Sequence, residues 1–412
     1  LYGVTCVGSA GTFDFKADAK RADRLETLST ATVTATDTHP DDWPMFRANP
    51  QATATSTARI PAKLSLLWEA RPSPHDDTRL TAPVSAGGTV YLSGSDGVLR
   101  ALDAATGETK WQAYTESEVR FPPTIWQGRA ITSSGDGWVY AHAANSGRPI
   151  WRFRAAPLQR KIPVFGQLLS TWPASSGVLI ADDVAYVAAG LVNYDGTYVY
   201  ALDPATGRVK WCNDTSGHLD PDAKSGVSVQ GHLLFNQGKL YLAGGNAVSP
   251  AVYDAENGQC LNNPSELAKC ESTSPRGWEL YLVGDRVIAC GRPFYAHPNH
   301  PVYDHTITKK MLHATDGERD IVWLDNQVVA CFKPIDKGSL NACVTDEKIA
   351  RHVTQAWGSF NVKDQPLWHH KCPGSAAMAI TRNAVVIADE KEVRALSLVT
   401  GQPMWAQPLP AA

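Results

Sequence analysis

One frame, A-x-x-x-x-x-G-x-x-x-W, constrains this chain more than any other feature, because it occurs four times. Residues 101–111 read ALDAATGETKW, 141–151 AHAANSGRPIW, 201–211 ALDPATGRVKW and 395–405 ALSLVTGQPMW, and a degenerate copy, VYDAENGQCL, covers 252–261. Each reads as the end of a strand, a tight turn, and a second strand ending on Trp. Asp103 and Thr106 can hydrogen-bond the turn backbone, and Gly107 supplies the positive φ of a tight hairpin. Trp111 then fills the wedge between adjacent sheets. One such sheet cannot bury both of its faces, so neighbouring copies must stack.

Upstream of the turns lie runs with period-2 alternation, at 88–94, 128–135, 183–190, 238–245, 284–291, 326–332 and 383–388. The pattern predicts an all-β fold, a β-propeller of seven to eight four-stranded blades, with eight favoured. Residues 64–70 (LSLLWEA) read as an outer strand carrying its own anchor, Trp68. Strands at 2–7, 12–15 and 31–35 are expected to supply its partners and to close the last blade, since closure removes exposed sheet edges. The boundaries are then an N-terminal segment, 1–40, and a propeller domain, 41–412. Residues 1–6 read as the middle of a strand, so the chain is expected to be a processed or excised piece.

Charge excludes some partners. Lys and Arg number 38 against 41 Asp and Glu, a net of −3, which gives no electrostatic reason to expect nucleic acid or an anionic membrane surface. No apolar run reaches the roughly 18–20 residues of a transmembrane helix. The eight Cys show no CxxC, CxxCH or zinc-ribbon spacing. Cys260 with Cys270, and Cys331 with Cys343, bracket insertions that a small disulfide could close; buried thiols are the alternative. The disulfide reading points to an oxidising, periplasmic or extracellular location.

The ALD-x-x-TG-x-x-x-W frame resembles the repeat of PQQ-like (quinoprotein-type) propellers, a group that includes quinoprotein alcohol dehydrogenases and the outer-membrane assembly lipoprotein BamB. The lead-in Asp42-Trp43-Pro44-Met45-Phe46-Arg47 resembles the entry of secreted PQQ-like propellers from bacteria such as planctomycetes. The resemblance covers roughly 41–410. It implies the fold, but not one activity, because many members bind no quinone. Quinoprotein dehydrogenases carry adjacent Cys residues over the quinone and a Glu, Asn and Asp set on Ca²⁺. This chain has no Cys-Cys pair and no matching stretch, which disfavours PQQ as a cofactor.

In a propeller the start of each blade's first strand faces the central funnel, where ligands collect. Those starts place Arg120, Trp172, Gln230, His232, Arg276, Trp278 and Trp357 as converging candidates. Trp faces stack on sugar rings, and Arg forks grip carboxylate or sulfate. A glycan in the funnel is the leading expectation; wedging between blades is the alternative use of the same side chains. Asn246 sits on a hairpin able to wall the funnel, as does 193–197.

The run 292–305 carries three His and an Asp. There Tyr295 and His297, beside Arg292 or Arg276, read as the acid and base of a lyase-type β-elimination, with His232 as a further catalytic candidate. The same run also reads as a solvated loop. Residues 213–222 form a Ca²⁺-friendly loop without EF-hand spacing. No P-loop, dinucleotide fingerprint, G-x-S-x-G or H-E-x-x-H occurs. The alternatives to a glycan-binding funnel are a polysaccharide-degrading enzyme, a scaffold with protein partners on the rim, and a PQQ-dependent dehydrogenase.

Overall fold

The computed structural model describes residues 21–409, apart from 76, 165, 192–194, 218–225, 245–249, 263–278, 284–285, 291–311, 325–327, 335–365, 375–376 and 390. All strand pairs are antiparallel. Six sheets of three or more strands occur among the described residues. We call them blades I to VI. They span 84–114, 124–154, 179–213, 233–254, 312–371 and 377–408. A two-stranded pair, Glu279–Val283 with Arg286–Cys290, lies between blades IV and V. The first strands of successive sheets touch one another in chain order, as propeller blades do around an axis. The β-propeller is therefore present, with six blades of three or more strands among the described residues; the expected count of seven to eight is not confirmed by them. The unit expected around the alternating run at 284–291 shows two strands among the described residues.

The repeat works through contacts between blades. The Trp ending one blade reaches the turn of the next, where its indole N–H donates to a backbone carbonyl. Trp111 donates to Ala144 at 2.9 Å, Trp151 to Pro204 at 3.3 Å, Trp211 to Ala255 at 2.9 Å and Trp368 to Leu398 at 3.0 Å. The ring lies flat on the Gly of that turn. A Cβ on Gly147 would come within 2.6 Å of the Trp111 ring, and one on Gly258 within 2.4 Å of Trp211. Gly is thus required twice, for its positive φ and for the approach of the neighbouring indole. Asp103 Oδ1 caps the turn by accepting from the amides of Ala105 and Thr106, as read from the sequence.

Two expectations for the N-terminal part change. Residues 64–70 form no strand, yet Trp68 docks as an anchor, donating to Ala104 O at 2.9 Å and lying over Gly107. At the other end of this stretch Trp405 of blade VI donates to Pro61 O at 3.0 Å. Residues 31–35 form no strand either. The strand that is described, Leu25–Thr27, pairs with the outermost strand of blade II, where Glu26 and Arg152 form an ion pair at 2.7 Å. Residues 2–7 and 12–15 lie outside the described residues.

Candidate functional site

The axis of the ring is the natural place for a ligand, and the protein's own chain runs through it. Residues 43–58 contact the first strand of nearly every sheet. Trp43 forms a two-way bridge with Ser85 of blade I, at 2.9 Å in each direction. The carbonyl of Pro44 accepts from Ile125 of blade II (2.7 Å), that of Pro50 from Phe235 of blade IV (2.8 Å), that of Thr53 from Thr315 of blade V (3.1 Å), and that of Ala54 from Ile380 of blade VI (2.8 Å). Arg47 lies over the Tyr281 ring at 4.9 Å and donates to the carbonyls of Ala52 and His313. Trp43 also packs against the apolar clusters of both blade I and blades V–VI, which joins the first sheet to the last.

The sequence of this segment matches its path. Ala48, Ala52 and Ala54 are 8%, 3% and 1% exposed, so larger side chains would not fit there. Arg47 and these three alanines have φ of 57°, 75°, 52° and 55°. Each left-handed non-glycine residue costs roughly 1–2 kcal/mol. Four of them within eight positions persist because surrounding strands hold the backbone on both sides.

On one side of the segment the packing is aromatic. Phe46 meets Phe121 edge-on with ring centres 5.1 Å apart, and meets His232 at 5.0 Å. Only about 20 Å³ of space remains between Met45, Phe46, Phe121, His232 and Leu179. On the other side lies an open cavity of about 660 Å³, walled among the described residues by 38–57, Leu282, 315–320 and Pro334.

The candidate residues fall out as follows. His232 is 4% exposed, with Nε2 at 3.2 Å from Leu280 O. Burial, with a smaller contribution from the nearby Arg47 charge, pushes its pKa down to about 3, so the ring is neutral at pH 7. Trp172 is 1% exposed and donates to Asp195 O at 2.5 Å. The Gln230 amide donates to Leu191 O at 3.1 Å. Trp172 and Gln230 are thus both bonded to carbonyls of the residues flanking 192–194. Arg120 is exposed. Asn246, Arg276, Trp278, Arg292, Tyr295, His297 and Trp357 lie outside the described residues.

In the 213–222 loop, Asn213 is engaged internally: its amide donates to Gly258 O and its carbonyl accepts from Thr215 and Ser216. Asp220 and Asp222 lie outside the described residues. Among those described, no three His, Cys, Asp or Glu are placed to hold a metal ion. Of the proposed disulfide partners, Cys270 and Cys343 lie outside the described residues. Burial raises the Cys331 thiol to about 11.

A quinone cofactor does not fit either side of the axis among the described residues. The aromatic side has no room for a tricyclic ring system. The cavity has Asp42, Asp316, Asp320 and His39 in its lining and, among the described residues, no Lys or Arg, the wrong chemistry for an anionic quinone. What sequence reasoning missed is the role of Phe46 and Arg47 at the axis. The available signal was the run of small residues after them, ANPQATATSTA at 48–58.

The comparisons agree with this geometry. The profile of the family described as outer membrane protein assembly factor BamB matches residues 61–292. BamB of Moranella endobia is 27% identical over 230 residues, covering 54% of this chain and 52% of that protein. BamB of Bordetella pertussis is 32% identical over 138 residues, 33% of this chain and 31% of the relative. The serine/threonine-protein kinase AfsK of Streptomyces griseus is 31% identical over 193 residues, 44% of this chain and 20% of the kinase. The chain thus spans about half or less of the length of these relatives. In structure, the quinohemoprotein alcohol dehydrogenase of Comamonas testosteroni superposes with a TM-score of 0.58 at 13% identity, covering 90% of this chain and 74% of that one. At that identity the likeness shows the fold alone. The family profile matches more than half of the 412 residues, and the chain belongs to the BamB-type family of PQQ-like propellers.

Proposed function

We propose that the protein is an extracytoplasmic interaction scaffold, related in role to outer membrane protein assembly factors, that works through its rim. The observation that carries this reading is the axial segment. A ligand seated at the axis, glycan or quinone, would have to displace residues 43–58 from hydrogen bonds to blades I, II, IV, V and VI. The rim, in contrast, offers apolar side chains to solvent: Leu66 is 70% exposed, Leu67 74%, Tyr114 67% and Leu168 57%. Contiguous exposed apolar groups mark protein-contacting surfaces, and Leu66 and Leu67 are neighbours in the chain. Leu168 sits on a hairpin, Lys161–Val164 with Gln167–Ser170, that is tied to blade I by Gln167 and Ser117. The periplasmic or extracellular location belongs to this proposal. So does the affiliation with secreted planctomycete propellers, which rests on 42–47.

The reading is tested by placing a photo-crosslinking residue at Leu168, at Leu66 or at Phe46 in bacteria that secrete the chain. Discrete protein adducts are expected from the first two positions and none from Phe46. A glycan-array and lyase-absorbance screen runs alongside. A glycan that binds wild type and not Trp172→Ala, with no rim adduct, would replace the scaffold by the funnel reading.

A further inference from the structure

The ring closes between blade VI and blade I through a stretch that holds the place of a blade's last hairpin. In frame with 201–211 (ALDPATGRVKW), residues 58–68 read ARIPAKLSLLW, and Ala58, Pro61, Ala62 and Trp68 match Ala201, Pro204, Ala205 and Trp211. The contacts match as well. Trp405 donates to Pro61 O at 3.0 Å, as Trp151 does to Pro204 O at 3.3 Å, and Trp68 passes the contact on to Ala104 O at 2.9 Å.

The stretch lacks the pairing of a blade. Val209–Asn213, the strand that carries Trp211, is hydrogen-bonded along Tyr198–Leu202. Residues 62–70 make no backbone–backbone hydrogen bond among the described residues. The chain runs from Leu64 to Ser73 without a bend or turn, and every residue of 61–67 is exposed. Unpaired amides and carbonyls beside the exposed Leu64, Leu66 and Leu67 form a template for a further strand.

The order of side chains selects that strand. An antiparallel copy of 63–69 centred on Leu66 sets Lys63 opposite Glu69 and Ser65 opposite Leu67, in both halves, with the two Leu66 side chains meeting at the centre. By the alternation of an extended chain, Lys63, Ser65, Leu67 and Glu69 share the face away from the docked Trp68. Opposite charges facing across a strand pair are favourable, and a two-fold axis makes the ion pair twice.

We propose that two copies of this chain associate through 63–69, paired antiparallel about Leu66. The proposal rests on the reading of the rim as a contact surface, and it names the partner at Leu66. One short strand pair is small beside a standard interface of about 1,600 Å², so the dimer is expected to dissociate at roughly 10 μM.

Sedimentation of the full chain from about 1 to about 200 μM spans that range. Lys63→Glu and Glu69→Lys each set like charges together in both halves, and each is expected to weaken the dimer about tenfold. The double variant, with the charges exchanged, is expected to restore it. Both side chains are exposed, and the unfolding midpoints are expected to stay unchanged. A chain that remains monomeric throughout overturns the proposal. So does a dimer that either single change leaves intact, or that the double change does not restore. The scaffold reading fails separately. A crosslinker at Leu66 that captures a different protein while the chain stays monomeric keeps the scaffold and removes the self-pairing. No adduct to any other protein from Leu66 or Leu168 removes the scaffold, whatever the association of the chain.

Discussion

The rim and the axis of this propeller are held together by different means. At the rim one contact is repeated: an indole from one blade lies on the turn glycine of the next and donates to the carbonyl three residues before it. At the axis nothing repeats. A single segment, 43–58, makes a different bond to each sheet, with left-handed backbone at four non-glycine residues. The repeated contact supplies stability in equal parts around the ring. The axial segment is one continuous tie, so it decides what the channel can admit.

If the rim supplies the stability, removing one anchor is the largest single loss. Trp151 is 1% exposed, and Trp151→Ala is expected to cost about 4 kcal/mol, measured by denaturant unfolding. A loss below about 1 kcal/mol would mean that the indoles do not carry the blade contacts.

The axis has its own signature in pH. The folded pKa of His232, about 3, lies below the unfolded value near 6.5, so the unfolded chain binds a proton that the folded one refuses. Stability from this group is present above about pH 6.5 and falls as pH drops towards 3. Between pH 7 and pH 4 the loss is on the order of 3 kcal/mol. His232→Gln, which keeps a donor for Leu280 O, is expected to remove that part of the acid sensitivity. An unchanged pH profile would place the ring in water and not against Phe46.

Glycine substitutions sharpen the rim side of the comparison. Gly147 has φ +69° and the Trp111 ring on its Cα, whereas Gly238 has φ +71° and nothing within 4 Å of an added Cβ. Both alanine variants strain the backbone, by about 1 kcal/mol. Gly147→Ala adds the clash, for about 2–3 kcal/mol in all. Equal losses at the two sites would remove the indole from the explanation.

The smallest effect is expected where Gln230 holds Leu191 O. Gln230→Ala is expected to lower stability by no more than about 1 kcal/mol, and to speed proteolysis near 190–197. A change in global stability as large as that of Trp151→Ala would show that this loop is part of the core.

This contrast also explains what was legible in the sequence. The rim could be read because its physics is local and repeated: Gly107, Gly147, Gly207 and Gly401 stand four residues before a Trp. The reading placed the Trp in the wedge but did not foresee that the indole's target is the next blade's glycine, a contact between repeats that no single repeat displays. The axis was harder to read, because residues 43–58 bond to strands as far away as Ile380, and its local sign was no more than the run of small residues at 48–58. Trp172, Gln230 and His232 were chosen for their position at strand starts. In the fold His232 stands directly before the strand Leu233–Asn236, whereas Trp172 follows the hairpin strand Gln167–Ser170, and the polar atoms of all three meet protein carbonyls, which only the folded chain could reveal. The blade count depended on spacing alone, and the described residues show six sheets of three or more strands together with the pair Glu279–Val283 and Arg286–Cys290.

The central claim is that the protein's own chain fills the axis. Hydrogen–deuterium exchange of the peptide covering 43–58 tests it most directly. The amides of Trp43, Ala52, Ala54 and Ser56 donate to carbonyls of Ser85, Asn49, Arg47 and Ile380, and they are predicted to exchange as slowly as the inner strands of blades I and VI. Exchange at the rate of an open loop would contradict the account and return the channel to a ligand.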